Sequence, residues 1–132
     1  MKTPENTDSF IYYNANPKNR KTSDCVIRAI SKFLNQDYNK VLMEMVKLSC
    51  DNGYAINSKE QIDIYLKSKG LIKNKQPRKK DNSKFTGIEF IEQDIDCIAV
   101  IGSHHITCIM DNKIYDTWDC SNKCIGNYYT KG

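Results

Sequence analysis

The chain has 132 residues, 39% of them apolar and 27% charged, with a net charge of +4. That size and balance fit one soluble domain with a single core, and exclude a disordered chain or one built on a run of about 18 apolar residues for crossing a membrane. The positive charge gathers in "NPKNRK" near the start and in "KNKQPRKK", Lys73 to Lys80, without interleaved aromatic rings, so nucleic acid is a disfavoured partner.

The polar residues after Met1 lack the apolar stretch of a secretion signal, so a cytoplasmic location and no membrane partner are expected. Six cysteines at positions 25, 50, 97, 108, 120 and 124 are then expected as reduced thiols. A zinc reading would draw on Cys120 and Cys124 with His104, His105 and Cys108. No CxxC pair is present, so neither a metal nor any other cofactor is expected.

Residues 1–22 read as extended or irregular, with "FIYY" at 10–13 a short strand. A first helix is expected from about Asp24 to Asn35. Ser23 would cap it, and Val26, Ile27, Ile30, Phe33 and Leu34 form its apolar stripe. A second helix runs from about Tyr38 to Ser49 and stops before "DNG". A third starts at Ser58, with Gln61 completing a capping box, and ends at Gly70. Past the basic loop, "CIAVIG", "HHITCIM", "KIYDTWD" and "CIGNYY" are short β-rich runs separated by turn residues. Helices followed by an antiparallel sheet give an α+β domain over residues 1–132.

Cys25 falls at the start of the first helix. There the helix dipole and unpaired N–H groups favour a thiolate and offer donors to an oxyanion. Asp24 beside it opposes the thiolate, so a basic partner is required. Only His104 and His105 can serve, and as neighbours on a strand they point to opposite faces. If Asp111 and Asn112 form a two-residue turn, residues whose numbers sum to 223 face each other. His105 then lies diagonal to Asp116, about 7–8 Å apart at the backbone, with Trp118 opposite His105 as a shield. The same register pairs His104 with Asp119 on the other face. Thr107, Ile109, Ile114 and Trp118 around His105 favour the first pair, and Asp119 suits a turn. The remaining cysteines are expected in the core or at its rim. The adjacent pairs Tyr12, Tyr13 and Tyr128, Tyr129 are expected to expose one ring each.

The order of cysteine at a helix start, histidine on a strand and acid on the next strand resembles the papain-like cysteine peptidase superfamily. More closely, "NPKNRKTSDCVIRAIS" with "HHITCIMDNKIYDTWD" is similar to small papain-like, C39-like proteins of phages and their bacterial hosts. The resemblance covers the nucleophile helix and the base–acid hairpin. It implies a papain-like fold with Cys25 as nucleophile, His105 as base and Asp116 as orienting acid. It also implies a polar oxyanion donor shortly before the cysteine, Asn19, with Asn16 and Ser23 as alternatives.

Two functions follow as expectations. One is a thiol-dependent hydrolase with a Cys–His–Asp triad, acting on an amide or related acyl bond of a peptide or protein substrate. The other is a non-catalytic papain-like scaffold of phage origin that binds and inhibits a host protein, an anti-defence or host-interaction factor.

Overall fold

A computed structural model describes residues 3–132. The architecture is α+β, with four helices and a mixed six-stranded sheet. In chain order the elements are β1 (Phe10–Tyr12), α1 (Cys25–Leu34), α2 (Tyr38–Asn52), α3 (Lys59–Ser68), β2 (Leu71–Asn74), α4 (Gly87–Phe90), a 3-10 turn (Ile91–Gln93), β3 (Cys97–Ile101), β4 (His105–Met110), β5 (Lys113–Asp116) and β6 (Ile125–Lys131).

The strands lie in the order β1-β5-β4-β3-β6-β2. The expected C-terminal antiparallel sheet is present as β5-β4-β3-β6, but both edges come from elsewhere in the chain. β1 pairs parallel with β5, and β2 pairs antiparallel with β6. β2 runs into the start of the stretch, Lys73 to Lys80, expected to be a basic loop. Its Ile72 and Lys73 are exposed, so an edge strand of this kind lacks the apolar alternation that marks a buried one.

The β4–β5 hairpin has the register expected from its turn. Met110 faces Lys113, Ile109 faces Ile114 and Cys108 faces Tyr115. Asp111 and Asn112 both have positive φ, 53° and 61°, the conformation of a type I′ turn, which Asn and Asp tolerate. The alternation of β4 divides the interior. Cys108, with the half-buried Ile106 and Met110, joins the core formed with Val26, Ile30, Phe33, Val41, Met45 and Leu66 of α1, α2 and α3. Ile109 joins a second core on the other face, with Phe10, Phe90, Ile101, Ile114 and Ile125. Burying one such aliphatic or aromatic side chain contributes about 1.5–3 kcal/mol.

Helix ends follow local chemistry. Ser58 caps α3 by accepting from the Gln61 N–H. The box is half formed, because the Gln61 amide is buried without a partner among the described residues. Gly53 closes α2 in the left-handed region at φ 79°. Thr86 and Glu89 make a complete capping box on α4. Gly87, at the start of that helix, is required by space: a Cβ there would sit 3.0 Å from the Ile101 and Ile114 methyl groups.

Among the described residues no helix is long and apolar enough to cross a membrane. All six cysteines are free thiols; Cys97, Cys108 and Cys120 are buried, whereas Cys50 and Cys124 are exposed rather than packed in the core.

Candidate active site

Helix α1 begins one residue later than its sequence suggests. Asp24, not Ser23, is the N-cap residue, and Cys25 is the first helical residue. The Asp24 side chain makes no capping bond. Its Oδ1 accepts from Arg28 Nε at 2.8 Å, while Oδ2 accepts from Tyr38 Oη at 2.7 Å and Asn16 Nδ2 at 3.1 Å. Burial works to raise the Asp24 pKa, but the Tyr38, Arg28 and Asn16 hydrogen bonds outweigh it and hold the carboxyl below its usual range. The charge that opposed a Cys25 thiolate is thus largely spent on its own partners. The helix start keeps its first-turn N–H groups free of a side-chain cap.

Across the hairpin, His105 Nε2 meets Asp116 Oδ2 at 2.6 Å. The β4–β5 register, carried one pair beyond Cys108 and Tyr115, sets Thr107 directly opposite Asp116. The Thr107 hydroxyl donates to the same Oδ2 at 2.6 Å. Oδ1 accepts from Arg28 Nη1 at 3.0 Å and from the Thr117 N–H at 2.7 Å. Asp116 is only 2% exposed, and every one of these donors compensates a carboxylate that burial would otherwise neutralise. Burial pushes its pKa up, but the His105 hydrogen bond and charge, with Thr107 and Thr117, carry it below the usual range.

Burial would also lower the His105 pKa, yet hydrogen bonds with Asp116, Cys120 and Cys25 raise it to about 11. Cys25 shows the mirror image. Burial pushes its thiol up, but the His105 ring, the Ile106 backbone, and the positive charges of His105 and Arg28 together hold it below the usual value. Thiolate and imidazolium stabilise each other. With Nε2 fixed on Asp116, Nδ1 is the ring nitrogen left for the thiol. The Trp118 ring lies over His105, with centroids 4.9 Å apart at 51°.

Cys25, His105 and Trp118 line one cleft of about 650 Å³, bounded also by Lys21, Ser23, Arg28, Asn57, His104 and Thr117, and Asp116 is bonded to His105 beneath its surface. Cys25, His105 and Asp116 are therefore brought together. Asn19 is not: it sits in an exposed turn at φ 52°, its amide oxygen 3.5 Å from Asn14 Nδ2, away from the residues lining the cleft. Asn16 is committed to Asp24, and Ser23 lies on the cleft rim. His104 also faces the cleft, but Asp119 caps the following turn by accepting from the Ser121 N–H at 3.1 Å. The alternative pair does not form.

Arg28, Tyr38 and Asn57 have no site role in the sequence, and Thr107 stands there only as a neighbour of His105. Arg28 joins Asp24 to Asp116 through two ion pairs inside the protein. Its i,i+4 spacing from Asp24 is a visible signal; its bond to Asp116, 88 residues away, is not. Thr107 follows from the hairpin register. Tyr38 opens α2, and Asn57 enters the cleft from the segment between α2 and α3. No local pattern announces the last two.

His105, Asp116 and Cys120 place donor atoms within 4.8 Å of one another, the spacing of a potential metal group. Their chemistry is spent differently. Asp116 Oδ2 already accepts from His105 and Thr107, and the Cys120 Sγ lies 3.7 Å from the same oxygen. A proton-holding imidazole and a thiol whose pKa is raised are poor ligands until both lose protons.

Comparison with known proteins finds no match: no protein family fits the chain, and no curated protein or solved structure is significantly similar to it.

Proposed function

We propose that the protein is a thiol-dependent acyl hydrolase with a papain-like arrangement, in which Cys25 is the nucleophile, His105 the proton carrier and Asp116 the group that orients it. The observation that carries this reading is the 2.6 Å His105–Asp116 bond set beside a thiol held below its usual pKa at a helix start. The Cys25 thiolate attacks a carbonyl carbon, and the negative charge passes to the carbonyl oxygen. The Cys25 backbone N–H and the Asn57 amide, which lines the same cleft, are the donors available for that oxygen. His105 gives its proton to the leaving group as the bond breaks. It then takes one from the water that releases the acyl group from sulfur.

Exposure to p-nitrophenyl acetate tests the first half of this cycle. The expected result is a burst of nitrophenolate with the acetyl group found by mass spectrometry on Cys25. Acetylation of Cys25 no faster than that of the exposed Cys50 and Cys124 would sink the assignment.

A second reading, a binding scaffold for an acidic partner, is favoured by the exposed lysines and arginine of Lys73, Lys75, Arg78 and Lys80 along one edge. Under it, Cys25→Ala keeps the biological effect and charge reversal along this edge removes it. The opposite pattern rejects it.

A further inference from the structure

Where α1 and α3 begin, they leave part of the helix-covered face of the sheet open. The result is a groove running away from Cys25. Its near part, about 290 Å³, is lined by Cys25, Asn57, His105, Ile62, Val100 and Ile106. Its far part, about 150 Å³, shares Lys59, Ile62, Val100 and Ile106 with the near part and continues to Lys73, Asn127 and Tyr129. Val100 and Ile106 are directly paired across β3 and β4, so the floor is a flat apolar step between two strands.

The rim is cationic. Lys59 and Lys73 line the groove, no carboxylate does, and neither lysine has an ion-pair partner among the described residues. Asp63 of α3, whose carboxylate feels the Lys73 charge, is hydrogen-bonded by the Tyr129 hydroxyl at 2.7 Å and paired with Lys67 at 2.9 Å. Glu60, next to Lys59 on α3, is exposed and does not line the groove. An apolar floor continuous with the thiol, under two ammonium groups that form no ion pair among the described residues, calls for a chain that is extended, apolar in one place and negative in the next.

We infer that this groove binds the substrate of Cys25 as an extended peptide, with an apolar side chain over Ile62, Val100 and Ile106 and an acidic side chain between Lys59 and Lys73. The inference rests on the reading of Cys25 as the nucleophile. It names the substrate class: polypeptide segments carrying an apolar residue and an acid on one side of the bond that is attacked. Lys59, at the junction of the two parts, and Lys73, in the far part, act as specificity residues.

Peptides with a single thiopyridyl-activated cysteine test this, because disulfide exchange reports binding on either side of the attachment point. A set carrying leucine with either glutamate or lysine at successive positions flanking the cysteine is reacted with the protein at low salt. Labelling of Cys25 is timed by mass spectrometry, with iodoacetamide as a small neutral control. At the favoured position the glutamate peptide is expected to label Cys25 roughly fivefold faster than its lysine counterpart, a preference that salt erases. Lys59→Glu/Lys73→Glu should reverse the preference and Lys59→Gln/Lys73→Gln should cancel it, each peptide rate being taken relative to that variant's own iodoacetamide rate. Equal rates for glutamate and lysine peptides at every position, with Cys25 still the fastest thiol toward iodoacetamide, would overturn the groove assignment alone. Iodoacetamide labelling of Cys25 no faster than Cys50 and Cys124 would overturn the nucleophile and the groove together.

Discussion

Cys25 and Cys108 are the same side chain in two regions of one molecule, and they are driven in opposite directions. Cys108 sits in the core between β4 and the helices, fully buried, and burial with the neighbouring Cys97 and acidic charges pushes its thiol far up. Cys97 on the adjoining strand is pushed to about 12, by burial and then by Asp96. Burial acts on Cys25 in the same sense, yet the net movement is downward. The difference lies in what surrounds the sulfur. Around Cys108 are apolar side chains; around Cys25 are an imidazolium, a backbone donor and a guanidinium. Seclusion by itself makes a thiol inert, whereas seclusion beside a cation held in place makes it reactive.

The largest effect is therefore expected from removing that cation. His105→Ala should cut any hydrolysis by roughly 10²–10⁴-fold. Labelling of Cys25 by iodoacetamide at neutral pH should slow by roughly tenfold as its thiolate fraction falls toward that of a free thiol. Parallel alkylation of the variant and the parent protein reads both numbers against the same exposed thiols. A His105→Ala protein whose Cys25 stays fast would place the source of activation elsewhere.

The next largest effect belongs to Arg28, which makes the cleft possible rather than performing its chemistry. Its guanidinium is shared between two buried carboxylates, those of Asp24 and Asp116. Arg28→Ala leaves both unpaired, and loss of one partner from such a buried network costs about 3–5 kcal/mol. Urea midpoints should show it. Arg28→Met, which restores volume without charge, should be as damaging here because two carboxylates remain; recovery by Met would show that packing alone is the role. The core side of the comparison is milder. Cys108→Ser places a hydroxyl among apolar groups and should cost about 1–3 kcal/mol while leaving the Cys25 labelling rate unchanged.

Legibility in the sequence followed the range of the interactions. The hairpin could be read closely because Asp111 and Asn112 fix its turn and hence its register, and from that register the His105–Asp116 diagonal follows. Ser58 as a helix cap was equally local. The start of α1 was displaced by one residue because Asp24 is pulled toward Arg28, Tyr38 and Asn16, and only the last two lie beyond the helix pattern. That same network answers the difficulty Asp24 posed for a thiolate. Asn19 lies outside the cleft, because distance along the chain does not say which polar residue will line it. The amide in the cleft, Asn57, comes from a segment thirty-two residues after Cys25. β1 was legible in "FIYY" but its parallel partner Ile114–Asp116 was not, and β2 owes its existence to a partner far away in sequence, Tyr128–Lys131. The "TGIE" capping box of α4 was a local signal that could have been found.

The claim at the centre of this account is that Cys25 exists as a thiolate paired with the His105 imidazolium. A pH profile of Cys25 alkylation tests it most directly, with each modified cysteine resolved by mass spectrometry. A depressed pKa means that the reactive form persists as pH falls below the free-thiol range and is lost only in acid. The expected profile for Cys25 is therefore flat through neutral pH, with its midpoint well below the roughly 8.5 of a free thiol. In His105→Ala that midpoint moves upward. A Cys25 midpoint at or above 8.5 in the parent protein, unchanged by His105→Ala, would contradict the ion pair and the function built on it.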